Sequence, residues 1–146
     1  MALSTGQVAI IGMSGRFPGA PNVERFWANL VEGMESITFF SEERLLSAAG
    51  LLIHQIRDAK YVPAKGILEG ACEFDPDAFD FTMREAALMD PQFRIFLETA
   101  LEALEDAGYV GDGTHRIGVY AGAGANTYQE FLRGEPGLLE QSGLAQ

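Results

Sequence analysis

Cysteine is almost absent from this chain of 146 residues, which carries only Cys72. A single thiol excludes a disulfide framework within the chain and fits a reducing cytoplasm. Positive charge is scarce too: 10 Lys and Arg stand against 21 Asp and Glu, a formal net charge of −11. That balance argues against nucleic acid, because phosphates are bound by neutralising them with Lys and Arg. No apolar run approaches the roughly 20 residues that span a bilayer, so no membrane partner is expected. Residues 1–6 are too few and too polar for a secretory signal. Histidine is limited to His54 and His115, neither of which has Cys, His or carboxylate neighbours at metal-ligand spacing. No metal site is expected. There is no internal repeat and no low-complexity segment. What remains is a chain that is 47% hydrophobic, a composition that opposes disorder and suits one domain or a large piece of one.

The most ordered signals lie in TMREAALMDPQFRIFLETALEALEDAG, residues 82–108. Thr82 and Glu85 form a capping-box pattern that opens a short helix carrying Ala86, Ala87 and Met89. Asp90 caps a second helix, with Pro91 in the first turn, where a missing N–H costs nothing. Phe93, Phe96, Leu97, Ala100, Leu101 and Leu104 recur at helical spacing. Glu98, Glu102 and Glu105 fall on the other face and read as solvated. Gly108 supplies the permissive terminus. Asp90 reads as a cap and Arg94 as a member of an ion pair.

Elsewhere, residues 8–12 read as a short buried strand ending in a turn through Gly15, Pro18 and Gly19. Asn22 caps a helix whose face is Val23, Phe26, Trp27, Leu30 and Val31, and Gly33 stops it. Ser41 starts another short helix carrying Leu45, Leu46 and Ala49, stopped by Gly50. Residues 51–60 are ambiguous and read as a surface excursion. Residues 117–121 read as a second strand, small enough for tight packing inside a sheet. Residues 134–146 are punctuated by Gly and Pro and are expected to fray.

Four segments in order resemble the ketosynthase domains of modular polyketide synthases, members of the β-ketoacyl synthase family. REAALMDPQFRIFLETALEALEDAG is similar to a family signature that runs from REA through MDPQ to EALEDAG. VAIIGMSGRFPGAPNVERFW is similar to the family's opening strand, RFPGA turn and following helix. YVPAKGILEGACEFDPDAFDF and RIGVYAGAGANTY are similar to two further family segments. Phe93 stands where the family more often has Gln or His, and Thr82 where it often has Ser-Pro.

The resemblance implies an α/β chain of the thiolase-like fold, incomplete, holding the start of its first half-repeat. Residues 1–146 then form the N-terminal portion of a β-ketoacyl synthase domain. In the complete domain a cysteine nucleophile takes an acyl group from a phosphopantetheine-bearing carrier protein. Decarboxylation of a malonyl-type unit then drives carbon–carbon bond formation. The resemblance also implies that the nucleophile and its two histidines lie beyond residue 146. No catalytic residue and no cofactor is therefore expected in this chain, which by itself should be inactive. Expected partners are a second copy, since the parent is a homodimer, and the parent's acyl carrier protein. Gly124, Ala125 and Asn126 match a loop that lies beside the acyl pocket near the dimer interface. Read from the residues alone, the same loop is a tight packing turn that needs small side chains. A truncated ketosynthase kept for docking or dimerisation is the alternative function.

Three features could mislead. Cys72 is flanked by Glu73, Asp75 and Asp77, whose charge disfavours a thiolate, and it lacks a small-residue elbow, so it reads as structural. His54 and His115 read as surface or packing residues. The glycines of Gly12-Met13-Ser14-Gly15 and Gly122-Ala123-Gly124 each follow a strand-like run, but neither completes a dinucleotide fingerprint and no acidic ribose partner follows. A nucleotide-binding domain is the distant third reading.

Overall fold

Asn22 opens the first helix because its backbone is extended (φ −152°) while its side chain accepts the Arg25 N–H at 2.8 Å. In the computed structural model, which describes residues 6–48, 53–109, 113, 115–125 and 128–134, helix α1 spans Val23–Glu32. Gly33, at φ +67°, ends it, and Met34 donates back to the Asn29 carbonyl at 2.9 Å. Gly33 also donates to the Leu30 carbonyl at 3.3 Å, and a left-handed glycine with these two bonds is the Schellman stop. The chain divides into two units, Gly15–Glu69 and a second formed by Met1–Ser14 with Gly70–Gln146.

In the Gly15–Glu69 unit, the RFPGA turn is closed by reciprocal 2.9 Å bonds between Phe17 and Ala20. Gly19 takes the positive φ (+67°) that a side chain would resist. Asn29, buried on α1, donates through Nδ2 to the Gly19 carbonyl at 2.9 Å, and Phe17 stacks on Phe26 at 4.1 Å. Strands β1 (Ile37–Phe39) and β2 (Ala64–Gly66) pair antiparallel, with Thr38 opposite Lys65. A Cβ on Gly66 would lie 2.8 Å from the Pro18 ring, so the Lys-Gly pair of the sequence marks a close backbone approach.

Helix α2 (Glu42–Ala48) begins after Ser41, whose hydroxyl accepts the Arg44 N–H. Residues 53–56 form a short helix, α3 (Ile53–Ile56). Arg57, just after it, pairs with Glu42 at 2.8 Å in solvent. Ala49 and Gly50, expected at the end of α2, lie outside the described residues. Trp27, Leu30 and Val31, on the expected apolar face of α1, are more than half exposed.

In the other unit, Phe74 stacks on Phe79 at 5.3 Å and meets Phe81 at 6.4 Å, around a 3₁₀ turn at Asp77–Phe79. Asp80 follows at φ +57°. The expected capping box is present: Thr82 accepts the Glu85 N–H, and the Glu85 carboxylate accepts the Thr82 N–H at 2.8 Å. Those bonds hold the Glu85 carboxyl below its ordinary value, the backbone N–H contributing most. Helix α4 (Met83–Leu88) ends as Met89 turns extended, and α5 (Pro91–Asp106) starts from Asp90. Gly108, at φ +74°, closes α5 with bonds to Glu105 and Leu104 from Gly108 and Tyr109. Helix α6 (Tyr128–Arg133) follows, its Leu132 buried.

Two expectations change here. Residues 8–12 and 117–121 do not pair into a sheet among the described residues, whose sheet is β1–β2 alone. Val8 is 94% and Tyr120 99% exposed. The reason is physical: helix α5 offers these segments a packing surface but no backbone donors or acceptors, and a strand needs a neighbour that supplies both. A cleft of about 610 Å³ lies between them and the small face of α5, lined by Gly12, Ala100, Ala103, Ala107 and Ile117. Gly12 sits hard against the helix, where a Cβ would fall 2.3 Å from the Ala103 carbonyl.

The second change concerns the carboxylate face of α5. Glu102 accepts a short hydrogen bond from the Ser14 hydroxyl, and Asp106 accepts the Met13 N–H at 2.9 Å. These carboxylates tether the glycine turn rather than simply facing water.

Candidate functional site

The loop that the sequence singles out, residues 122–125, is held by the first turn of α5. Asp90, 6% exposed, caps that turn by accepting the Gln92 N–H at 2.8 Å. The Gln92 side-chain amide donates back to Asp90 at 3.3 Å, which fixes its rotamer and leaves Oε1 free to face outward. Oε1 accepts the Gly124 N–H at 2.9 Å. A Cβ at Gly124 would approach this oxygen to 3.1 Å, so a small residue suits the contact.

Arg94 completes the arrangement. It is 7% exposed, and its Nε donates to the Met89 carbonyl at 3.0 Å. One terminal nitrogen donates to the Cys72 carbonyl at 3.2 Å, the other to the Tyr128 hydroxyl at 3.3 Å. The guanidinium also lies 5.6 Å from the Tyr128 ring centre. The Tyr128 hydroxyl donates onward to the Ala87 carbonyl at 2.7 Å. Among the described residues, backbone carbonyls and a phenol take the place of the expected ion pair in satisfying the buried cation. Five donors in a planar fork make Arg the side chain able to reach three separate acceptors.

Of the three residues proposed to line a site, Gly124 and Ala125 are exposed on this loop, and Asn126 lies outside the described residues. Gln92, Arg94 and Tyr128 were missed as parts of the same arrangement. Their signal in the sequence was the polar pair inside an otherwise apolar helical start. Cys72 takes part through its backbone carbonyl, while its thiol is free and exposed. His54 is exposed on α3, and His115 packs edge-on against Tyr109 at 4.7 Å. Among the described residues no cluster of three metal-ligating side chains occurs, and no helix is long and apolar enough to cross a membrane.

A mixed α/β chain with this capped helix pair and glycine loop is a partial thiolase-like ketosynthase N-terminal region. Residues 5–143 match the family model described as the β-ketoacyl synthase N-terminal domain, and the chain belongs to that family. It is 44% identical over 125 residues to polyketide synthase PksN of Bacillus subtilis, covering 86% of this chain and 2% of that protein. It is 42% identical over 134 residues to erythronolide synthase EryA2 of Saccharopolyspora erythraea, covering 88% of this chain and 4% of that one. Ketosynthase twelve of the bacillaene polyketide synthase from Bacillus amyloliquefaciens superimposes with a TM-score of 0.60 at 47% identity, over 70% of this chain and 18% of that structure. The chain thus spans a small share of each of these proteins and corresponds to part of a modular polyketide synthase ketosynthase domain.

Proposed function

We propose that this chain supplies scaffold and acyl-site wall to a ketosynthase that performs decarboxylative Claisen condensation. In that reaction a cysteine thiolate outside this sequence attacks an acyl thioester, and the carrier's phosphopantetheine thiol leaves. A malonyl-type thioester then loses carbon dioxide, and the resulting carbanion attacks the enzyme-bound acyl group, releasing the cysteine. The complete domain would work in the cytoplasm as a homodimer with an acyl carrier protein. This chain contributes no reacting group. Its part is the wall formed by Gly124, Ala125 and Asn126. The observation that carries this reading is the 2.9 Å bond from Gly124 to Gln92, which fixes a loop of small residues to the family's signature helix.

Two experiments test it. The isolated chain, incubated with an acyl thioester, should show no mass gain, and rapid stoichiometric acylation at Cys72 would refute its inactivity. In a full-length ketosynthase carrying this sequence, Ala125→Trp should slow acylation by long chains more than by short ones. Equal losses, or a fall in thermal stability alone, would make Ala125 a packing residue.

A second reading, a non-catalytic docking or dimerisation piece, is favoured by the exposure of Val8, Ile10, Val119 and Tyr120, at 75% or more each. Such a surface promotes association. Sedimentation velocity of the isolated chain should show a dimer or larger species. A rigid monomer would remove support from this reading.

A further inference from the structure

The first turn of α5 holds the candidate acyl loop at Gly124 and the chain beyond it at Tyr128. Gln92 binds Gly124, and Arg94 binds Tyr128, where α6 begins. The two grips differ in kind. Arg94 is buried and joins segments well beyond the loop, through Met89 and Cys72. Gln92 is exposed, and among the described residues its side chain bonds within the turn and to Gly124. Its amide end is tied to Asp90, so its carbonyl is a preset acceptor rather than a mobile one.

Among the described residues the loop has little else to set its course. A Cβ placed on Gly122 would meet nothing within 4 Å, and the residues from Ala121 to Ala125 are exposed. Backbone containing two glycines in three residues has the widest choice of conformations. A single directional bond to the middle of such a segment therefore decides where Gly124 and Ala125 stand.

From this geometry we infer that Gln92 is a positioning residue: it fixes the Gly124–Ala125 wall and thereby sets the ketosynthase's preference for acyl-chain length. The inference rests on the pocket reading proposed above. Gln92 touches no substrate in this scheme and acts through the loop.

The test uses a full-length ketosynthase carrying this sequence, with Gln92→Met as the variant. Methionine keeps the length of the side chain and removes both its donor and its acceptor. Three quantities are read: amide hydrogen exchange across residues 118–125, kcat/KM for a short and a long acyl thioester, and Tm. Loss of one ordinary hydrogen bond should raise exchange at Gly124 about two- to tenfold. The ratio of long-chain to short-chain kcat/KM should shift by a similar factor, with Tm nearly unchanged because the site is exposed.

Unchanged exchange would overturn the inference. So would faster exchange with an unchanged ratio, if Ala125→Trp does alter that ratio; the pocket reading would then survive alone. If exchange rises and neither variant moves the ratio, the pocket reading fails and the inference fails with it. A lower Tm with equal losses for both chain lengths would reduce Gln92 to a structural residue.

Discussion

Arg94→Met tests whether the buried guanidinium holds this unit together. Methionine fills most of the same volume but abandons three acceptors, the carbonyls of Met89 and Cys72 and the hydroxyl of Tyr128. Hydrogen bonds from a charged donor contribute about 1.5–3 kcal/mol each. Against this, the unfolded chain recovers several kcal/mol of guanidinium hydration, which native Arg94 forgoes. Tyr128 keeps its 2.7 Å bond to Ala87 in the variant, so only the two carbonyls are left without their donor. The expected net loss is about 2–4 kcal/mol, two carbonyls left without donors at about 1–3 kcal/mol each, less the hydration no longer forgone.

Arg94→Lys should recover only a fraction, because a single ammonium cannot span acceptors contributed by Met89, Cys72 and Tyr128. Tyr128→Phe should cost about 1–2 kcal/mol. Since it shares a bond with Arg94, the double variant should fall short of the added single losses by more than about 0.5 kcal/mol. The assay is urea unfolding followed by far-UV circular dichroism, in this chain and in a full-length ketosynthase that carries it, comparing midpoints at constant slope. A midpoint for Arg94→Met within about 0.5 kcal/mol of the parent, or strict additivity with Tyr128→Phe, would refute the account.

Three other outcomes are expected. Gly12→Ala should destabilise by about 1–3 kcal/mol or more, because its Cβ would meet the Ala103 carbonyl at 2.3 Å and neither backbone can yield cheaply; a neutral midpoint shift would contradict that close approach. Asp80→Val should lose about 1–2 kcal/mol at a left-handed position, φ +57°, where Asp80→Asn should be nearly neutral; equal Tm values for the two variants would argue otherwise. Glu85 has a folded value below its ordinary 4.5, so its contribution is fully present above that pH and is lost as pH falls through the lowered value. Amide exchange at Thr82, corrected for intrinsic rate, should accordingly keep its protection at pH 4.5 and lose it as pH falls below that value, and Glu85→Gln should remove the pH dependence.

The sequence by itself determined the local boundaries. Asn22 and Gly33 bracket α1, Thr82 pairs with Glu85, Asp90 with Pro91 opens α5, and Gly108 closes it. Each is settled within a few residues, because a cap is a bond between near neighbours and a left-handed stop depends on one missing Cβ. The family, too, was legible, since its signature lies in the order of unusual residues.

Only the tertiary structure decided the partners that lie far apart in the chain. Met13 finds Asp106 across 93 positions, Arg94 finds Tyr128 across 34, and Gly124 finds Gln92 across 32. Nothing in the spacing of charges announced that Glu102 would bind Ser14, or that Arg94 would be satisfied by carbonyls instead of a carboxylate. Residues 8–12 and 117–121 carry the strand pattern because their side chains suit a sheet. Whether they become strands depends on a neighbouring backbone, and a segment's own sequence cannot supply that neighbour.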